Sequence, residues 1–190
     1  KAGMCSSYHN LGQVYQAQGN FAEMLNNCAH AEKIWDELGE QKKKADIYDY
    51  LGQVYYVQSN YPKVLEYYFK SYKIYKDLND KKGLSIALNN IGLMYQVLGD
   101  NKKSLDYLFQ SLKLKEELGS QKDIGDAYNN IGLVYSTKEE AKKAIDYHFK
   151  ALKIRETIND RTGLTYTHNN LGKIYLFLEE DTKALEELLK

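Results

Sequence analysis

The stretch Asn90-Ile91-Gly92-Leu93-Met94-Tyr95 decides the fold, because its pattern returns at a fixed interval along the chain. An aliphatic residue, the Gly that follows it and a Tyr three positions later recur with a period of 40 residues and no insertion or deletion. The five copies occupy residues 11–15, 51–55, 91–95, 131–135 and 171–175. Gly and Tyr kept in register at such a period predict a solenoid of stacked helical units.

Two breaks divide each unit into two helices, a first helix A and a second helix B. Gly39, Asn79, Gly119 and Asn159 stand between units, and both residue types tolerate the left-handed conformation that ends a helix. Asp80, Ser120 and Asp160 follow them as predicted N-caps. Within units the breaks fall at Gly19-Asn20, Ser59-Asn60 and Gly99-Asp100, and Glu139-Glu140 and Glu179-Glu180 mark them less well. Helices of about 17 or 18 residues, roughly 26 Å long, are expected.

Composition narrows the functional classes. Lys plus Arg equals Asp plus Glu at 26 each, so the basic surplus of a nucleic-acid binder is missing. No apolar run approaches the ~20 residues that cross a bilayer, and the start lacks a signal-peptide pattern. A single proline favours an all-α chain. Because the sequence starts at Lys1 without Met, we expect a fragment of a longer protein.

The Leu-Gly-x-x-Tyr core and the small residues at Ser104, Ala144 and Ala184 resemble the tetratricopeptide repeat in its longer, 40-residue variety. Such units are found in Rap-type regulators, bacterial sensor-kinase input domains and Pins-like adaptors. The resemblance implies an all-α fold, a right-handed superhelix of antiparallel helix pairs forming one domain over residues 1–190. Its expected repeats, about 4.5 in all, are 1–39, 40–79, 80–119, 120–159 and a truncated 160–190. Met24 and Val64 depart from the family, which has small residues there.

The resemblance also implies that helix A lines a concave groove. The expected peptide-binding residues are Asn10, Asp49, Tyr50, Gln53, Asn89, Asn90, Asn129, Asn130, Asn169, Asn170 and Lys173. An Asn amide matches the C=O and N–H of a peptide unit, so the Asn row resembles the asparagine ladder of peptide-binding relatives. The alternative is that these side chains bond neighbouring helices. Acidic Asp46, Asp49 and Asp126 against one basic Lys173 favour a neutral or basic partner segment over an acidic tail.

Residues for catalysis or metal binding are not predicted. His148 and His168 fall at repeat positions shared with core residues, and His30 has no partner at a metal-ligand spacing. His9 lies in the expected groove, where a contact with a ligand is the alternative to a role in packing. Cys5 and Cys28 would lie about 9 Å apart on a helical hairpin, beyond disulfide reach. No phosphate loop or nucleophile motif occurs, so neither an enzyme nor a cofactor is expected.

The sequence therefore predicts a protein-binding scaffold that holds an extended peptide or helix of a partner. A structural element that stacks through uncapped solenoid ends is the first alternative, because such ends favour self-association. The input domain of a bacterial signalling protein is the second. Unpaired thiols favour the cytoplasm, with an extracytoplasmic sensor domain as the other option.

Overall fold

The computed structural model describes residues 21–137 and 139–189, which form nine helices and no strand. In chain order they are α1 (Phe21–Glu37), α2 (Gln41–Val57), α3 (Tyr61–Asp77), α4 (Lys81–Val97), α5 (Asn101–Leu118), α6 (Gln121–Val134), α7 (Ala141–Thr157), α8 (Arg161–Phe177) and α9 (Asp181–Leu188). The even-numbered helices are helix A of their repeats, and the odd-numbered ones are helix B. Successive helices form antiparallel pairs, which confirms the all-α repeat architecture.

The predicted breaks between repeats are confirmed. Gly39, Asn79, Gly119 and Asn159 all adopt positive φ, between 53° and 71°. Within repeats, Ser59 and Gly99 adopt the same conformation. Glu179 also does so, with φ 61°, although Glu gains nothing from the left-handed region. Glu139, at the same position of the fourth repeat, is not one of the described residues that adopt positive φ, so the two poorly marked breaks differ in structure.

Two of the three predicted N-caps accept a backbone hydrogen bond. Asp80 accepts from the Gly83 amide and Asp160 from the Gly163 amide, each at 3.0 Å. The Ser120 hydroxyl instead donates to the Asp123 carboxylate at 2.6 Å, so it makes no cap bond. Pro62 lies in the first turn of α3, where its missing N–H leaves no helical bond broken.

Three of the motif glycines, Gly52, Gly132 and Gly172, are sites of close helix approach. A Cβ on Gly52 would overlap the ring of Tyr68, and a Cβ on Gly132 would lie 2.9 Å from the His148 ring. Helix B therefore presses a flat ring directly against the backbone of helix A in both repeats. The glycine of the Gly-x-x-Tyr spacing thus allows the two helices of a repeat to pack closely.

The motif tyrosines stack on a second tyrosine twelve residues later in three repeats. Tyr55 stacks on Tyr67, Tyr95 on Tyr107 and Tyr135 on Tyr147, with ring centroids 5.4–5.6 Å apart and planes within 9° of parallel. A lysine ammonium, from Lys63, Lys103 or Lys143, lies over each motif ring at 4.7–5.1 Å. These pairs hold helix A to helix B, which accounts structurally for much of the high tyrosine content.

The chain divides into two compact units, one ending at Met94 and the other beginning at Tyr95 within α4. In the first unit α2 packs on α1 and α3, around buried Met24, Cys28, Leu51 and Val54. In the second unit α6 packs on α5, α7 and α8, and α8 packs on α7 and α9. Its largest buried cluster includes Leu108, Ile124 and Ile131.

Candidate functional site

Fewer side chains of α2 are exposed than the predicted groove residues on this helix require. Asp49 and Tyr50 are both buried, and Tyr50 belongs to the apolar cluster of the first unit. Gln53 and Tyr56 are exposed. Asn89 and Asn90 on α4 are half-buried. Asn10 lies outside the described residues, as do His9 and Cys5.

Asp49 belongs to a buried polar cluster between α2 and α3. Its carboxylate accepts from the Ser71 hydroxyl at 2.6 Å and from the Tyr75 hydroxyl at 3.1 Å. Tyr75 also donates to Asp46 at 2.9 Å, so one phenol links two carboxyl groups. Burial raises the pKa of Asp49 to about 6, although both hydrogen bonds oppose the shift and Asp46 adds to it. The first unit thus holds a carboxyl group that is protonated more readily than usual.

The amides of the second unit join helix A of one repeat to helix A of the next. Asn170 donates through Nδ2 to Oδ1 of Asn129 at 3.1 Å. The same oxygen lies 3.1 Å from Nδ1 of His148 on α7. Because the Asn129 oxygen can only accept, this contact requires the proton on Nδ1. Asn129 is 1% exposed, and its side chain therefore bonds neighbouring helices.

His148 is buried as neutral imidazole. Its Nε2 is buried and has no hydrogen-bond partner among the described residues. Burial lowers the pKa of His148 to about 4, and the nearby Arg155 charge lowers it further. His168 is half-buried and lies 2.6 Å from Glu187, linking α8 to α9.

Arg155 crosses the second unit from α7 to the outward side of α6. Its guanidinium donates to the Gly163 carbonyl at 2.6 Å, to the Thr167 hydroxyl, and to Asp126 at 2.5 Å. The Arg side chain is 4% exposed, whereas the Asp126 side chain is 45% exposed. The buried Arg155 therefore holds the Asp126 carboxylate in place, while part of the Asp126 side chain remains exposed to solvent.

Helix α6 ends three residues short of the length that α2, α4 and α8 share. It spans 14 residues against 17 in the others. The Ser136 hydroxyl donates back to the Gly132 carbonyl at 3.0 Å, and the Thr137 amide bonds to Tyr135 rather than to the preceding turn. A hydroxyl that competes for helix carbonyls favours an early end.

A pocket of about 180 Å³ lies where α6 stops. Its apolar walls are Leu133, Ala141, Ile174 and Phe177, and its polar groups are Ser136, Thr137, Asn170 and Lys173. Two of the sequence-predicted site residues, Asn170 and Lys173, are thereby brought together. Lys173 is exposed, and no described residue forms an ion pair with it.

One side of α8 is an exposed stripe of mixed polarity. At 100° per residue its members fall on one side of the helix, and they are Tyr166, Asn169, Lys173, Leu176 and Phe177. The three large apolar side chains are exposed by 51%, 51% and 54% in that order. Asn130 on α6 is half-buried.

The tetratricopeptide repeat model matches residues 3–77 and 83–157, most of the chain. The chain belongs to the tetratricopeptide repeat family. Tetratricopeptide domains generally mediate interactions between proteins, and they are typically non-catalytic. No curated protein is detectably similar to the chain.

Solved structures show the same fold at low sequence identity. BtubC from P. vanneervenii aligns with a TM-score of 0.84 and 22% identity, over 94% of this chain and 74% of that one. The apo form of RapI gives 0.83 and 20%, over 96% and 67%. A Rap protein complexed with competence and sporulation factor gives 0.80 and 22%, over 97% of this tetratricopeptide chain and 52% of the Rap chain. At these identities the likeness concerns the fold alone.

Within the described ranges, nothing in this tetratricopeptide domain groups three His, Cys, Asp or Glu side chains around a metal position. None of the described helices is both long and apolar enough to span a membrane. Burial raises the pKa of Cys28 to about 11, with Glu32 adding to the shift, so its thiol stays protonated at neutral pH.

Sequence reasoning missed two features of the site. Arg155 occupies the repeat position of Trp35, Tyr75 and Lys115. The presence of an Arg at this position in one repeat was the sequence signal for its hydrogen bonds to α6 and α8. The pocket had a signal in Ser136-Thr137, where the other described repeats carry larger side chains such as Tyr56-Val57.

Proposed function

We propose that this chain is a protein-binding module whose helix A sides hold an extended segment of a partner protein. The exposed stripe of α8 is the observation that carries the proposal. Isolated exposed apolar residues are ordinary on a surface, but three large ones on one side of a helix, interleaved with Asn169 and Lys173, are typical of an interaction site.

The polar groups of the stripe suit a peptide backbone. Asn169 is exposed, and its amide offers one acceptor and two donors, which match a peptide unit. Asn129 and Asn170 already bond each other, so they support the surface from beneath. In the second unit, Asn130, Asn169 and Lys173 are therefore the proposed direct contacts. Extension of the same mode to Gln53, Asn89 and Asn90 in the first unit stays a prediction, as does any role for Asn10, Asp49 and Tyr50.

The test is selection of random displayed peptides on the immobilised domain, followed by affinity measurement of the enriched peptides. A Tyr166→Ser/Asn169→Ala variant changes only exposed side chains of the stripe. The matched control, Lys153→Ala/Glu156→Ala, changes exposed residues of α7. We expect the first variant to weaken binding at least about tenfold, as loss of an aromatic contact and a hydrogen bond would give.

The control should bind as the native domain does. Circular dichroism of both variants checks that the helices are retained. Equal affinity of all three proteins for the selected peptides would overturn the proposal, because the stripe would then contribute nothing to binding.

A further inference from the structure

The pocket beneath the stripe has the dimensions of a single side chain. Its volume is about 180 Å³, and a cavity of about 150 Å³ with apolar walls holds one benzene molecule. Leu133 and Ile174 form apolar surface inside it, and Phe177 stands at its edge with half of its surface exposed. A planar ring of six carbons therefore fits in size and in polarity.

The pocket results from the early end of helix A in the fourth repeat, a feature that no other described helix A shares. It lies where α6 stops at Val134, while α2, α4 and α8 continue through the equivalent turn. Ser136 and Thr137 then contribute small side chains to the rim where a further helical turn would stand. The vacancy follows from the local sequence and is not a property of every repeat.

The charge at the rim of the pocket determines which kind of side chain is favoured next to a ring bound inside it. Lys173 is the one charged side chain among the described residues that line the pocket, and no described carboxylate pairs with it. Asn170 is nine-tenths buried and oriented by its bond to Asn129, so its position at the pocket wall is fixed. A cation on a flexible stem beside a fixed amide is suited to a carboxylate near the pocket mouth.

We propose that this pocket receives an aromatic side chain of the bound partner segment, and that an acidic side chain adjacent to it pairs with Lys173. This inference rests on the proposed function and adds a sequence class for the partner. The acidic contact is local: it refines, at this one position, the expectation of a neutral or basic segment.

The pocket can be tested without a peptide, using 3-phenylpropionate as the probe. In ¹H–¹⁵N spectra of the native domain, the probe should shift the amide signals of Leu133, Asn170 and Ile174. The amide analogue, 3-phenylpropionamide, should bind about threefold more weakly, which is the size of one exposed ion pair. Propionate, which has no ring, should leave these signals unmoved. Shifts that cluster away from the pocket would overturn the proposal.

Two variants assign the effects to the pocket. Ser136→Phe places a ring at the exposed rim and should abolish the shifts caused by the probe. Lys173→Gln should remove the preference for the acid over its amide while leaving ring binding in place. Lys153→Gln, an exposed lysine of α7, is the matched control and should keep the preference. If Ser136→Phe binds the probe as the native domain does, the pocket is not the site.

Peptide binding separates this inference from the proposed function. Acetylated and amidated peptides exclude terminal carboxylates, and selected sequences should pair an aromatic residue with Asp or Glu. If peptides depend on Tyr166 and Asn169 but ignore Ser136→Phe and Lys173→Gln, the proposed function stands without its Lys173 contact, and this inference is overturned. If no peptide binds in any form, the proposed function fails, and the claim about a partner segment fails with it even where the probe binds.

Discussion

The two units of the molecule solve the same packing problem with different chemistry. Residues 46, 49 and 75 of the first unit are Asp, Asp and Tyr, and 80 positions later they are Asp126, Asn129 and Arg155. In the first unit a neutral phenol links two carboxyl groups. In the second unit a guanidinium donates to the Asp126 carboxylate and lies 3.9 Å from that of Asp160, and an amide replaces the buried acid.

The difference shows which positions the repeat constrains. The glycine and tyrosine positions fix how closely the helices approach, and they are the same in every repeat. The polar positions between helix layers are constrained only as a set, because each buried polar group needs partners but not particular ones. The two units should therefore match in fold and differ in response to mutation and pH.

Removal of Arg155 should have the largest effect. Arg155→Ala leaves a cavity and removes hydrogen bonds to Gly163, Thr167 and Asp126. We expect the free energy of unfolding to fall by about 4 kcal/mol. Urea denaturation followed by circular dichroism measures the change.

A matched variant introduces at position 155 the residue type that the first unit has at the equivalent position 75. Arg155 packs over Gly163 as Tyr75 packs over Gly83, so Arg155→Tyr should lose only about 1–2 kcal/mol. If both substitutions lower stability equally, the two networks are not equivalent, and the comparison between units fails at this position.

Replacement of Asp49 should stabilise the first unit at neutral pH. The pKa of Asp49 is about 6 in the folded protein, against 3.8 for the same side chain in the unfolded chain. Its contribution to stability is therefore complete below pH 3.8 and is lost as the pH rises through 6. Asp49→Asn should therefore raise the free energy of unfolding by about 3 kcal/mol at pH 7.5 and by less than half of that at pH 4.5. Asn can accept from Ser71 and donate to the Tyr75 oxygen, so both contacts survive.

Fluorescence of Trp35 reports this change, because it is the single tryptophan and belongs to the first unit. Ser71→Ala is the control, since it removes one hydrogen bond but leaves the carboxyl group. A gain for Asp49→Asn that is the same at both pH values would assign the effect to packing and not to ionisation.

His148 should give the second unit the opposite pH response. Its folded-state pKa of about 4 lies below the reference value of 6.5, so its contribution to stability is present above 6.5 and is lost as pH falls toward 4. Between pH 7 and pH 5 the loss should be about 2 kcal/mol. His148→Leu copies Leu108 at the same repeat position and should remove this loss.

Thermal unfolding at the two pH values measures the difference, and NMR titration of the His148 ring checks the cause. A ring that titrates near 6.5 in the folded protein would contradict the prediction. His30→Leu is the matched control for removal of an imidazole, because His30 is an exposed residue of the first unit.

The sequence predicts the fold through positions where one residue type is required, and it predicts the site less well. Turn residues such as Gly119 and Asn159 identify helix ends because few residues adopt positive φ. The sequence predicts Asp49 and Tyr50 to be accessible, because the position of a residue around the helix axis distinguishes only a core side from an opposite side. Helix α2 packs on α1 and α3 and shares a buried cluster with α4, so its exposed strip is narrower than half of its surface. The Arg155–Asp126 pair joins residues 29 positions apart, which periodicity alone cannot align.

Gly125 provides the smallest and most local test of the comparison. Its counterpart in the first unit is Ala45, which is fully buried. A Cβ on Gly125 would lie 3.6 Å from side-chain atoms of Arg155 and Ile154, an ordinary contact distance. Gly125→Ala should therefore stabilise the protein by about 0.5–1 kcal/mol, because Ala favours the helix over Gly.

Gly83→Ala is the contrasting change, since its Cβ would overlap the rigid ring of Tyr75. That variant should lose about 1–3 kcal/mol. Urea denaturation of both variants decides whether the arginine network tolerates the side chain that the first unit already carries at this position. A loss of stability in Gly125→Ala would mean that the hydrogen bonds of Arg155 hold α6 and α7 more rigidly than the tyrosine of the first unit holds its own pair of helices.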